Sequence, residues 1–309
     1  MKVFTAIEQV PADFGPSAIT VGKFDGVHEG HRAVIRELLA VAARENLVST
    51  AVTFDRHPFA FLKPEQAPIA LVGNDQKLDL LAGTGLDATL MLTFDAAIAY
   101  LSPLDFVRRI LVDALKAKVV LVGRDFRFGL RGEGDITMLT ELGERFGFAV
   151  HIIEDVMPTA DRRVSSTWIR DLLSEGDVVT ATKLLGHAPA VQGEVVHGAK
   201  RGRELGFPTA NLSPRSEGLI PADGVYAGWL TDGDTRYPAA ISVGSNPTFD
   251  GVPPKQVEAY VLDETIDLYG HIVLIAFAAR IRGMVKFTGI EPLIEQMNAD
   301  VEQVRELLQ

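Results

Sequence analysis

Two short runs carry side chains whose types and spacing could do chemistry. Residues 20–31 read Thr-Val-Gly-Lys-Phe-Asp-Gly-Val-His-Glu-Gly-His. Gly22, Gly26 and Gly30 let the backbone approach a ligand closely. His28 and His31 are three apart, so at a helix start they project to one side. A helix N-terminus adds unpaired N–H groups and the positive end of a dipole. Two imidazoles at such a terminus suit a polyphosphate. Zinc is a second chemistry for a histidine pair, but no third ligand is evident nearby. A structural pair is the plainest alternative. The run is neither a GxGxxG fingerprint nor a P-loop. The second run, residues 198–211, reads Gly-Ala-Lys-Arg-Gly-Arg-Glu-Leu-Gly-Phe-Pro-Thr-Ala-Asn. Gly198, Gly202 and Gly206, with Lys200, Arg201 and Arg203, predict either a flexible, positively charged flap or a solvated loop.

These runs need elements to hold them. Apolar segments at Ala18–Gly22, Val48–Phe54, Ala88–Phe94, Val119–Gly123 and Phe148–Ile153 recur at the length of a strand plus a crossover helix. Between them, Arg32–Arg44 shows helical periodicity through Ile35, Leu38, Leu39 and Ala42, and Ser102-Pro103 reads as a helix start. Continuous apolar strands alternating with helices predict a parallel sheet covered on both faces. The histidine run then sits at the sheet's C-terminal edge, where α/β folds bind nucleotides. After Gly186 the pattern changes. Val191–His197, Gly224–Leu230, Tyr237–Val243, Val257–Leu262 and Ile272–Ile281 are short β-rich runs separated by Pro, Gly and Asp. They predict a small antiparallel sandwich or barrel. A final helix, Glu291–Leu308, carries Leu293, Ile294, Met297, Val301, Val304 and Leu308 on one face. Two domains follow, 1–186 and 187–309.

The 309 residues are 47 % hydrophobic and 23 % charged, an ordinary globular balance. With no cysteine, disulfides, thiolate metal sites and cysteine nucleophiles are excluded. No apolar stretch approaches the ~20 residues of a membrane-spanning helix, and residues 1–10 do not read as a signal peptide, so the cytoplasm is expected. Net charge is −11, and neither half is basic, so nucleic acid is not an expected partner. An anionic partner has to be held by local groups. The expected partners are small molecules, with self-association left open.

The first run resembles the HxGH nucleotidyltransferases, in particular the prokaryotic bifunctional riboflavin kinase/FMN adenylyltransferase (FAD synthetase) family. Thr53-Phe-Asp-Arg-His-Pro58 resembles that family's TFDPHP, with Arg56 in place of the commoner proline. Val122-Gly-Arg-Asp-Phe-Arg-Phe-Gly129 resembles its glycine/phenylalanine loop, with Asp125 where asparagine is also found. Ser165-Ser-Thr-Trp-Ile-Arg170 resembles its SSTxIR. In the second half Phe207-Pro-Thr-Ala-Asn211 resembles the riboflavin kinase GFPTAN. Gly244-Ser-Asn-Pro-Thr-Phe249, Val257-Glu-Ala-Tyr-Val-Leu-Asp263 and Asp267-Leu-Tyr-Gly270 also match the kinase pattern.

The resemblance implies a Rossmann-like nucleotidyltransferase domain followed by a riboflavin kinase-like β-barrel with a terminal helix. It implies ATP with Mg²⁺, and riboflavin, FMN and FAD as substrates or products. His28, His31 and Arg170 are then catalytic. Gly22, Phe24, Asp25, Gly26, Gly30, His57, Asp125, Phe126, Ser165, Ser166 and Thr167 are expected at nucleotide or flavin. Ser165–Thr167 also read as a helix N-cap, and Phe126 or Phe128 as core. In the kinase half Gly198, Gly202, Gly206, Pro208 and Asn246 are expected at ligand. Thr209 and Asn211 alternate on an extended chain and point one way. A hydroxyl and an amide carbonyl suit Mg²⁺. Glu258, on the strand face opposite Val257, Ala259 and Val261, is the candidate base for the ribityl hydroxyl, or else an exposed strand glutamate. Two rivals are an adenylyltransferase whose β domain only binds flavin, and a non-catalytic flavin sensor.

Overall fold

The computed structural model describes all residues except 155–156, 158–161, 199–205, 246–254 and 265. Lys200, Arg201, Gly202, Arg203 and Asn246 therefore lie outside the described residues. Contacts divide the chain into two compact units: Met1–Ala70 with Asn74–Ser165, and Leu71–Gly73 with Ser166–Gln309.

The first unit is built on six parallel strands: β1 (Lys2–Phe4), β2 (Ser17–Val21), β3 (Val48–Phe54), β4 (Ala88–Leu92), β5 (Ala117–Gly123) and β6 (Ala149–Ile153). Their order is β1-β4-β3-β2-β5-β6. The expected strands are all present. Edge strand β1 was not expected, since three residues are too short to display a period. The continuous apolar runs have the anticipated cause. In β5, Val120 and Val122 join one core with Ile19, Ile110 and Leu139, while Val119 and Leu121 join the opposite core with Ile35, Leu38 and Leu81. Both faces of the sheet are therefore buried. Helix Glu29–Glu45 presents Ile35, Leu38, Val41 and Ala42 inward and stops at Asn46 in a left-handed cap, which asparagine tolerates. Ser102 caps its helix as expected, accepting from the Asp105 N–H at 3.1 Å.

The second unit holds a closed antiparallel barrel of β7 (Ala190–Val196), β8 (Thr209–Leu212), β9 (Gly224–Asp232), β10 (Thr235–Ser245), β11 (Lys255–Val261) and β12 (Ile272–Arg282), ordered β10-β11-β8-β7-β12-β9 and closed by β9 against β10. Alternate residues fill its interior, among them Tyr226, Ile241, Val243, Ala259, Val273, Ile275 and Phe277, all fully buried. Gly228 sits opposite a bulge in β12, where a Cβ would fall 2.1 Å from the Ala276 carbonyl. Helix Ile290–Leu308 covers the outside of the barrel. Val301 and Val304 pack on Phe207, Ala227 and Leu262, with Met297 and Leu308 alongside. Asp300, also buried, takes a forked pair of hydrogen bonds from Arg282 of β12, Nε at 2.9 Å and Nη2 at 2.6 Å.

Helices Ser166–Glu175 and Val178–Leu185 pack with this second unit, whereas the sequence reading grouped them with 1–186. The Ala222 N–H donates to the Leu173 carbonyl at 2.8 Å, Arg280 donates to the Glu175 carbonyl at 3.1 Å, and Val178–Leu185 lies on β12. Among the described residues no helix is long and apolar enough to cross a membrane.

Candidate active sites

The chain runs from β2 to β3 and β4 on one side of the sheet, and places β5 and β6 on the other. The switch point lies between the C-terminal ends of β2 and β5, where an open α/β sheet leaves a crevice. Gly22–His31 leaves β2 there, and Arg124–Gly129 leaves β5. Asp55–His57 leaves the adjacent β3. The structure thus brings His28, His31, His57, Asp125 and Phe126 to one sheet edge.

The turn before the histidines is strained. Phe24 and Val27 both have left-handed backbone, φ 47° and 40°, which costs about 1–3 kcal/mol at a non-glycine residue. Burial offsets it: Phe24 and Val27 are 2 % and 0 % exposed, in the core with Leu38 and Leu81. Gly26, at φ 78°, completes the turn. His28 caps helix Glu29–Glu45, its Nδ1 accepting from the His31 N–H at 3.4 Å. That leaves the proton on Nε2, which is then a donor. The two imidazoles stack at 3.7 Å and 13°, with Phe24 5.1 Å from His31. A Cβ on Gly30 would meet the His28 ring at 3.1 Å, so glycine makes room for the stack. Burial, then the neighbouring His28, Lys23 and Lys77, push the His31 pKa well below its ordinary 6.5. Its Nδ1 is enclosed and has no hydrogen-bond partner among the described residues. With His31 held neutral, the stacked imidazoles at the helix N-terminus offer N–H donors to a polyphosphate.

Around it, His57 caps helix Pro58–Leu62 by accepting from the Phe59 N–H at 3.1 Å, and its Nε2 lies 3.5 Å from Lys23 Nζ. The Thr53 hydroxyl donates to the Lys23 carbonyl at 3.1 Å, tying the loop after β2 to the end of β3. Burial alone would raise Asp55. Hydrogen bonds from Arg56 and from the Phe94 N–H outweigh it and hold the carboxyl below its usual range. Arg56, the departure from the family pattern, is thus bound to its neighbour. Asp125 is exposed and pairs with Arg163 at 2.8 Å. Phe126 is half-buried and stacks on the buried Phe128 at 5.4 Å, so both belong to the aromatic edge of the core. Ser165 closes the first unit. The carbonyl of the preceding Val164 is 3.7 Å from a Cβ placed on Gly30, which sets Ser165 beside the histidine turn. Ser166, Thr167 and Arg170 lie on the first turns of the next helix, with Thr167 exposed and the others half-buried.

Sequence reasoning missed Lys77. It lies on helix Asn74–Ala82, is 5 % exposed, and donates to the Phe54 carbonyl at 2.8 Å. Its spacing of four from the buried Leu81 was the one available signal, and a lysine is ordinarily read as solvated.

In the barrel, β8 and β11 pair so that Asn211 faces Glu258 and Thr209 faces Tyr260. The interior takes Val257, Ala259 and Val261, so Glu258 lies outside with Thr209 and Asn211. Asn211 Nδ2 donates to the Thr209 hydroxyl at 3.2 Å and its carbonyl at 3.1 Å. The Thr209 hydroxyl is 3.4 Å from Glu258 Oε2. A Cβ on Gly198 would come within 2.4 Å of Asn211 Oδ1, so only glycine lets that loop approach the amide. Gly206 turns at φ 89°, Phe207 anchors on Tyr260 at 5.3 Å, and Pro208 is exposed before β8. A hydroxyl, an amide oxygen and a carboxylate on one face are the oxygen set that suits a hard divalent cation, and the Gly198 approach fits a ligand held against it.

Comparison with known proteins bears on both halves. A family model described as FAD synthetase matches residues 10–168, and one described as riboflavin kinase matches 185–308. Bifunctional riboflavin kinase/FMN adenylyltransferases are similar over nearly the whole chain. That of Escherichia coli K12 is 35 % identical over 93 % of this chain and 91 % of its own. That of Pseudomonas fluorescens is 36 % identical over 99 % and 98 %. A solved Streptococcus pneumoniae structure, described as a macrolide-efflux protein, superposes with a TM-score of 0.87 at 31 % identity, covering 98 % of each chain. With a parallel sheet bearing the first model, a closed barrel bearing the second, and relatives that carry both activities, the chain belongs to the bifunctional riboflavin kinase/FMN adenylyltransferases, which use ATP and Mg²⁺ to make FMN from riboflavin and FAD from FMN.

Proposed function

We propose that the two reactions are divided at about Gly186, with FMN adenylylation in 1–186 and riboflavin phosphorylation in 187–309, in the cytoplasm. The observation that carries this reading is the pair of separate phosphate-type sites, the His28/His31 stack on the sheet edge and the Thr209/Asn211/Glu258 face on the barrel. Adenylylation needs no base, because the FMN phosphate is already ionised. A phosphate oxygen bonds the α-phosphorus while the α–β bridging bond breaks and pyrophosphate leaves. The work is positioning and charge stabilisation. His28, through Nε2–H, and His31 donate to the phosphates. Gly22, Gly26 and Gly30 admit them to the backbone. Phe24 and Asp25 shape the turn, and His57, Asp125 and Phe126 line the flavin side. Ser165, Ser166, Thr167 and Arg170 keep the phosphate-donor role their motif implies, with Arg170 able to bind bidentately.

The kinase step does need a base. Glu258 accepts the ribityl hydroxyl proton as that oxygen bonds the γ-phosphorus and ADP departs. Thr209 and Asn211 would hold Mg²⁺, whose charge offsets that of the phosphates when bound. Gly198, Gly206 and Pro208 border that site, while Gly202 and Asn246, to which the motif gives the same role, lie outside the described residues.

Riboflavin, ATP and Mg²⁺ are incubated with each variant and the flavins separated by chromatography. Glu258→Gln loses FMN formation by roughly 100-fold or more, while supplied FMN still becomes FAD. The paired His28→Ala/His31→Ala variant accumulates FMN and makes no FAD. Either variant losing both activities equally, while folded, defeats the division.

A further inference from the structure

The adenylylation site contains a buried cation that no motif accounts for. Lys77 is 5 % exposed and reaches from helix Asn74–Ala82 to the last carbonyl of β3, Phe54 O, at 2.8 Å. The same helix packs on the turn Asp25–Val27. Lys77 therefore ties its own helix to the end of β3 that leads to Asp55 and His57, and that helix packs on the turn that leads to His28 and His31. Burial pulls its amine down from the ordinary value, and Asp25 and Asp55 push it back up. One carboxylate is thus supplied by each loop. A neutral donor would satisfy the Phe54 carbonyl equally well. Only a cation serves two carboxylates and also adds positive potential where a polyphosphate would arrive, in an enclosed position where water screens it weakly.

We propose that Lys77 is a positioning residue for adenylyl transfer: its ammonium clamps the β3 end and the Asp25 and Asp55 loops into one arrangement, so that the histidine pair meets the polyphosphate in register. This rests on the reading of the His28/His31 edge as the adenylyl-transfer site. Lys77 does not touch the reacting atoms. Its charge acts through the loops and through the field at His31, which faces His28 from its own helix cap, Lys23 from the loop after β2, and Lys77 from the neighbouring helix.

The test uses the full chain with Lys77→Met, Lys77→Gln and Lys77→Arg. FMN-to-FAD kcat and the KM for ATP are measured across pH 5.5–9, with kinase activity in the same preparations as the internal control. Misplacement of reacting groups by a fraction of an ångström supports an expected kcat loss of roughly 10- to 100-fold in the Met and Gln variants. Kinase activity stays within about twofold, and Lys77→Arg recovers part of the loss. Removing a positive neighbour raises the His31 pKa, so the acid limb of the rate profile moves to higher pH in the Met and Gln variants. The proposal is overturned if Lys77→Gln keeps full kcat, if the acid limb stays in place, or if all three variants lose kinase and adenylyl transfer together with a common fall in melting temperature. Should Lys77→Met not fold, the Gln and Arg pair decides the matter alone. His28→Ala/His31→Ala is run alongside: FAD synthesis surviving there removes the site assignment itself, whereas FAD lost there but kept in Lys77→Gln removes only the role of Lys77.

Discussion

His31 shows how one side chain links folding to chemistry. Its imidazole stays neutral because burial, the adjoining His28 and the ammonium groups of Lys23 and Lys77 disfavour the imidazolium. The unfolded chain takes a proton near 6.5 that the folded chain refuses. Stability is therefore unaffected above 6.5, and is progressively lost as pH falls from there toward the depressed folded value. His31→Gln removes this term, so its melting temperature should fall less between pH 7 and pH 5 than that of the native chain. Parallel curves for the two proteins would contradict the assignment. The histidine pair was legible from spacing alone, because a three-residue interval on a helix puts both rings on one side. Their 3.7 Å stack and the choice of His28 Nδ1 as acceptor were not, since both depend on backbone angles of the strained turn before them. Lys77 escaped notice for another reason: its burial is imposed by elements distant in the chain, and its spacing of four from Leu81 is a weak local trace of it.

At the scale of elements, hydrophobic period carried most of the fold. Val48–Phe54 was delimited to the residue, and the terminal helix to one residue at its start, because continuous and 3.6-spaced apolar patterns have few alternative explanations. Strand β8 was harder. Thr-Ala-Asn-Leu has one buried apolar residue, Leu212, and becomes a strand only by pairing with β11 and β7. That pairing sets Asn211 across from Glu258. Gly198 belongs to the same assembly. Gly198→Ala forces a Cβ to within 2.4 Å of Asn211 Oδ1, so the amide has to shift. We expect riboflavin phosphorylation to drop roughly 10- to 100-fold, with FMN adenylylation and the melting temperature nearly unchanged. An unimpaired kinase would show that the loop has slack the packing does not suggest.

For the whole molecule, the change of pattern near Gly186 falls at the start of the second matched family model, residues 185–308, and beyond the end of the first, residues 10–168. The packing boundary lies earlier, at Ser165, because Leu173, Glu175 and helix Val178–Leu185 bond to and cover the barrel unit. A fragment of 166–309 should therefore melt several degrees above one of 187–309, in line with a loss of one or more kcal/mol from a small domain. Equal melting temperatures would mean that the two helices add nothing to the barrel. The residue order by itself determined the α/β and β-barrel halves, the sheet edge that carries the histidines and the strand face that carries Glu258, because periodicity and local turn chemistry act over a few residues. Tertiary structure alone decided which distant groups share a site: the Lys77 cation beneath β3, the Asn211–Glu258 register and the allegiance of the connecting helices. Those contacts join segments far apart in the chain, and their energy comes from burial and pairing that no local pattern encodes.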